Sequence, residues 1–310
     1  MRNSLIVAAL FVMVGCGVEA IDPSQTGDPT TSQDAINFDT VPNGKGMQTI
    51  AFANGGGGKA RPSANGISYH NGPVMTGTPN IYLIWYGNWS GDSTASTVIN
   101  AWANGIGGSP YYNINSTYYN GSGTHVSNAA RNAGSTTDNY SQGTAVSDSG
   151  IQAIVSSAIS SGRLPSDSNG VYFVLTSADV NETSGFCTQY CGWHTHGTIG
   201  GVDIKYSFVG GSARCPSACE WQSTGPNGGG SGDGMASIIA HEFEETTSDP
   251  DLNAWYDSRG AENADKCAWT FGTTSTASNG AIYNQTIGGR QMLIQRNWVN
   301  ASGGLCATSW

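Results

Sequence analysis

The chain has 310 residues, enough for one large domain or two modest ones with a conventional hydrophobic core. Only 11% of it is charged, and 12 Lys plus Arg against 22 Asp plus Glu leave a formal charge of -10. That balance excludes a basic stripe for nucleic-acid phosphates and a polybasic route to anionic lipid, and 44 glycines without a three-residue period exclude collagen.

Arg2 followed by the apolar run Leu5 to Val14 reads as an export signal, too short to span a bilayer. Ala20 closes a small-residue cleavage site that sets the signal at 1–20, whereas Met13 to Cys16 forms an imperfect bacterial lipobox that would make Cys16 a lipid anchor. Both readings put the protein outside the cell or on a bacterial cell surface. Cys187, Cys191, Cys215, Cys219, Cys267 and Cys306 remain, an even set that predicts up to three disulfides with the connectivity open. No later stretch reads as a transmembrane anchor. Residues 21–67, rich in Gly, Pro, Ser, Thr and Asn, read as a flexible leader. The glycine run from Asn54 to Lys59 is not a phosphate loop, because Ala53 and Ala60 stand where that motif needs Gly and Ser or Thr.

An ordered domain is expected over 68–310. Asn80 to Trp89 is a charge-free strand candidate, and Thr94 to Gly105 a helix. A polar region of loops or short edge strands follows. Ile151 to Ser161 gives a second helix, Val171 to Thr176 a second buried strand and Gly201 to Phe208 a shorter one. Met235 to about Thr247 is a third helix, which Pro250 ends by Ser248. Met292 to Val299 supplies a late strand. This order predicts a single mixed-sheet α/β domain with long, disulfide-supported loops.

The sharpest chemistry lies in His241-Glu242-Phe243-Glu244-Glu245. At about 100° per residue, His241 and Glu245 share a face, and Glu242 falls at about 100° from His241, between Ile238 and Met235. Glu244 falls on the polar side. A carboxylate inside an apolar arc is costly unless it pairs, titrates or meets a cation. The segment resembles the His-Glu-x-x-His helix of zinc peptidases, with Glu245 in place of the second histidine. That resemblance implies a zincin (metzincin-like) core, His241 and Glu245 as zinc ligands and Glu242 as the general base. For the third ligand Glu262 ranks first, then Asp265, then Asp251; as ordinary loop acids these residues would need no metal.

Ser-Tyr-His-Asn-Gly-Pro-Val at 68–74, Ile-Tyr-Leu-Ile-Trp-Tyr-Gly-Asn-Trp at 81–89, Val-Leu-Thr-Ser-Ala-Asp-Val at 174–180 and Phe-Cys-Thr-Gln-Tyr-Cys-Gly-Trp-His at 186–194 form an ordered set. Cys-Pro-Ser-Ala-Cys at 215–219, Asp-Gly-Met-Ala-Ser-Ile-Ile-Ala-His-Glu at 233–242 and Asp-Pro-Asp-Leu-Asn-Ala-Trp-Tyr at 249–256 continue it. The set resembles the plant exordium or phosphate-induced protein family and its bacterial relatives. The resemblance implies a secreted, cell-wall-associated protein whose six later cysteines fit the family pattern. Plant growth signalling is not carried over, since the leader is that of a bacterial surface protein.

His194 and His196 follow the first cysteine pair; His194 either borders the His241 site or, the favoured reading, hydrogen-bonds in a loop, while His70 reads as a turn-packing residue and His125 as unpartnered. Ser231 lacks the final glycine of a nucleophile elbow. Two functions follow: a metal-dependent hydrolase of peptide or cell-wall material, or a non-enzymatic binder of cell-wall polysaccharide using aromatics such as Trp89 or Trp193.

Overall fold

The charge-free run Ile81 to Tyr86 becomes the second strand in a central sheet of five. In the computed structural model, which describes residues 41–50 and 66–310, that sheet comprises β1 (Asn80–Tyr86), β2 (Arg131–Asp138), β3 (Gly170–Thr176), β4 (Gly192–Ile199) and β5 (Val202–Val209). Three main helices accompany it: α1 (Ser93–Gly105), α2 (Asp148–Ser160) and α3 (Ser231–Ser248). The strand order is β2-β1-β3-β5-β4. The pairs β1–β2, β1–β3 and β3–β5 are parallel, and β4 is an antiparallel edge strand on β5. Parallel neighbours need crossover connections, which α1 supplies between β1 and β2 and α2 between β2 and β3. Every residue of β3 is buried, as a strand covered on both faces requires.

The fold is mixed α/β, as its sequence pattern predicts, with element ends shifted by a few residues. β1 stops at Tyr86 because Gly87 turns the chain at φ +97. α3 begins four residues before Met235 and ends before Asp249, next to Pro250. The expected strand over 292–299 is instead two short pieces, Arg290–Met292 and Asn297–Val299. β2 falls in the polar region expected to hold loops or short edge strands, and it is an edge strand of the sheet. β2 is polar and alternates exposed with half-buried residues, and β4 lies where the cysteine spacing suggested a loop.

Asp92 ties two helices together. Its Oδ1 accepts from Ala95 N–H at 3.1 Å to cap α1, and its Oδ2 accepts from Ser231 N–H at 2.6 Å at the start of α3. Phe243 anchors α3 from the opposite end, stacking on Tyr112 at 5.1 Å and meeting Trp102 edge-on at 5.6 Å. Disulfides 187–215 and 191–219 join the segment before β4 to the segment before α3, and 267–306 closes the C-terminal region. Among the described residues no helix is long and apolar enough to cross a membrane. The export signal, Cys16 and the glycine run at 54–59 lie outside the described residues.

Because one carboxylate caps both helices, Asp92→Ala should cost about 2 kcal/mol, twice a usual cap. Urea unfolding at unchanged slope checks this.

Candidate metal centre

From Met235 onward α3 is buried on every side, so its polar residues there cannot turn to water. Glu244, expected on a solvent face, has no exposure; Asn297 Nδ2 donates to its Oε2 at 2.8 Å, and burial holds its carboxyl well above the usual range. The later segments over 250–299 roof a face that a helical wheel leaves open. Near the helix end, Thr246, Thr247 and Ser248 donate their hydroxyls to backbone carbonyls one turn back.

The neighbouring face carries the site. His241 Nε2 lies 2.9 Å from Glu245 Oε1 and 3.5 Å from Asp265 Oδ1. The edge strand β4 brings His194 in from the other side, its Nδ1 3.4 Å from Glu242 Oε2 and 3.5 Å from Glu245 Oε2. Its Nε2 lies 3.5 Å from Glu262 Oε1. Gly192 permits this approach, because a Cβ there would press on Ile238 at 2.6 Å and Glu242 at 3.0 Å. The structure therefore brings His241, Glu242, Glu245, Glu262 and Asp265 into one cluster. His194 joins them, by the less favoured of its two sequence readings, from a strand and not a loop.

Asp251 does not join them. It pairs with His196 at 3.7 Å and Lys205 at 3.6 Å, and Lys205 already supplies a cation to that cluster. His70 stacks on Tyr256 at 3.6 Å, His125 Nδ1 meets Ser116 O, and Ser231 is buried at the start of α3. Gln295, which no motif marked, is fully buried with its amide nitrogen 2.6 Å from His241 Nδ1 and 3.2 Å from Ala264 O. It orients the imidazole. A buried amide near a histidine three segments away leaves no local sequence signal.

The electrostatics follow from crowding. Burial would lower His194 and His241, but the surrounding carboxylates together, led by Glu262 for His194 and Glu245 for His241, outweigh it and hold both well above their usual range. Burial pushes Glu245 up, yet His241 and then His194 pull it down to about 2. Burial lifts Glu262 well above the carboxylate range, and burial followed by Glu245 pushes Asp265 up to about 7. Among the buried atoms without a hydrogen-bond partner are His194 Nε2, His241 Nε2, Glu245 Oε2 and Glu262 Oε1. Imidazole nitrogens and carboxylate oxygens are donor types that a divalent ion such as zinc accepts. His194, Glu242 and Glu245 offer atoms within 4.8 Å of one another, as do His241, Glu245 and Asp265, and Glu245 belongs to both triads.

The family model for the phosphate-induced protein 1 conserved region matches residues 67–302. The chain belongs to the phosphate-induced protein 1 family. It is 32% identical over 272 residues to Protein EXORDIUM-like 5 of Arabidopsis thaliana, covering 75% of each chain. To Protein EXORDIUM-like 3 of the same plant it is 32% identical, covering 75% of this chain and 80% of the relative. Protein PHOSPHATE-INDUCED 1 of Nicotiana tabacum is 24% identical over 226 residues, 61% of this chain and 67% of that one. No solved structure matches the chain. The matched region contains every residue of the site described above.

In equilibrium dialysis with zinc, His194→Ala and His241→Ala should abolish stoichiometric uptake, and Gln295→Ala should weaken it by about 10- to 100-fold, as for partners that orient a ligand. Asp265 keeps its proton below about pH 7, so zinc must displace that proton. Affinity should therefore fall as the pH is lowered from about 7.5 to about 5, and pH-resolved calorimetry checks the sign.

Proposed function

We propose that this protein is an exported, metal-dependent hydrolase with a zincin-like site, acting on polypeptide or cell-wall material at a bacterial surface. The observation that carries this reading is the pair of close-set groups, His241–Glu245–Asp265 and the buried His194–Glu242–Glu245, which share Glu245 where α3 meets β4. His241, Glu245 and Asp265 on one side, and His194 and Glu262 on the other, would hold a zinc ion. When bound, the ion supplies Lewis acidity that polarises a substrate carbonyl and acidifies water.

Glu242 is the proton carrier in this reading. Its Oε2 lies against His194 Nδ1 and its Oε1 accepts from Met47 N–H at 3.3 Å, so both oxygens have fixed directions. Burial lifts its carboxyl above the ordinary range, with His194 opposing, which moves it toward the working pH of a general base. The export signal and the six paired cysteines support a location outside the cytoplasm.

A second reading has its own support. Trp221, 48% exposed, leans on Phe271 at 5.1 Å and lines a cleft with Glu220 and Asp233, both carboxyls raised by burial. An exposed ring beside hydrogen-bonding acids suits a sugar face. Trp193, considered above for that role, is buried, and Trp89 packs edge-on against Trp85.

Glu242→Gln should retain fold and zinc while cutting turnover by roughly 100- to 10000-fold on whichever peptide or wall polymer the zinc-loaded wild type cleaves. Unchanged turnover refutes the base. Polysaccharide binding without product, lost in Trp221→Ala, would establish the second reading.

A further inference from the structure

The hydrolase reading requires a route for substrate, yet His194, His241, Glu242 and Glu245 have no exposure. What covers them is a piece of the compositional leader. Residues 43–49 run antiparallel along the outer edge of β4 and the loop before it. His194 N–H donates to Gly44 O at 2.9 Å, Cys191 N–H to Met47 O at 2.7 Å, and Thr49 N–H to Gln189 O at 3.0 Å. Gln48 bridges Tyr190 in the same sense. The segment lies directly on the ionisable cluster. A Cβ on Gly46 would collide with Glu245 Oε2 and sit 2.8 Å from His241 Nε2. Beside that glycine, Lys45 Nζ reaches Asp148 at 2.8 Å and Ser184 at 3.0 Å and rests over the rings of Trp193 at 4.4 Å and Tyr190 at 4.8 Å.

We propose that the edge of β4 is a polypeptide-binding groove, specific for an extended chain with a basic residue immediately before glycine, and that residues 43–49 fill it as a built-in pseudosubstrate. This deepens the hydrolase reading and rests on it for the fate of the bound chain. The backbone bonds are sequence-independent and recruit any extended segment to an open strand edge. Selectivity comes from two places. The carboxylate of Asp148 with the two rings accepts a cation, and the closeness of His241 and Glu245 admits no side chain at the next position.

The test uses the full-length chain in chelator, with a fluorescent synthetic peptide of residues 42–50 as the probe. Wild type is compared with Gly46→Leu, which cannot seat its own segment, and with Lys45→Ala, which loses the anchoring cation. Both variants should bind the peptide more tightly than wild type, by about 10-fold if the wild-type segment is docked about nine-tenths of the time. Bound peptide should protect the amides of His194 and Cys191 from hydrogen exchange. Peptides carrying Glu for the lysine or Leu for the glycine should bind about 10-fold more weakly or worse. Equal binding by all three proteins, absence of binding, or indifference to the peptide changes would overturn the proposal. So would a Gly46→Leu chain that does not fold together with a Lys45→Ala chain whose two amides stay fully protected, since residues 43–49 would then be a fixed wall. The assay needs neither metal nor turnover, so its failure leaves the metal reading standing and failure of metal uptake leaves the groove standing.

Discussion

The attraction between His241 and Glu245, at 2.9 Å with no exposure for either side chain, is the interaction around which this molecule is arranged. A buried ion pair recovers its desolvation cost only with good geometry and further polar partners. The chain supplies them from every side: Asp265 and Gln295 for His241, His194 for Glu245, and the Asp265 N–H at 3.1 Å for Glu245 Oε1. Phe243 carries the apolar side of α3 into an aromatic cluster with Trp102, Tyr112 and Phe173, which fixes the rotation that brings the ionisable residues together. The apolar half of the helix is thus the positioning device for the polar half.

Much of this was legible in the sequence because two periodicities are clear. The charge-free runs in β1 and β3 announce buried strands, and the 3.6-residue spacing in α3 announces the His241–Glu245 face. Glu244 was misplaced because a wheel counts residues on one helix and cannot see the segments that roof it. His194 was ranked as structural first for a different reason. β4 is an edge strand rich in Gly, Thr and His, without the β-branched run that marks a strand, and two nearby cysteines drew it toward a loop. The remaining signal was alternation, which puts Gly192, His194 and His196 on one face.

Residues 41–50 show where composition misleads most. Gly, Lys, Asn and Gln in a low-complexity stretch are the makings of a linker, yet Pro42, Gly44, Gly46, Met47 and Thr49 are buried. Their backbone groups are satisfied by a partner strand remote in sequence, and backbone pairing leaves almost no mark on side-chain choice. The glycines are where the constraint does surface. A position can be tightly restricted because nothing fits there.

The groups at the centre come from four stretches of chain: His194, the helix with His241 to Glu245, Glu262 with Asp265, and Gln295. No two of these stretches are near neighbours along the backbone, so each must be delivered by closing a long loop, which delays their meeting until most of the native topology exists. Partly folded forms therefore carry the ionisable residues without the geometry, scattered and hydrated, with little to attract an ion or a substrate. The cluster takes shape only with the last steps of folding, and no fragment that lacks one of the four stretches can assemble it.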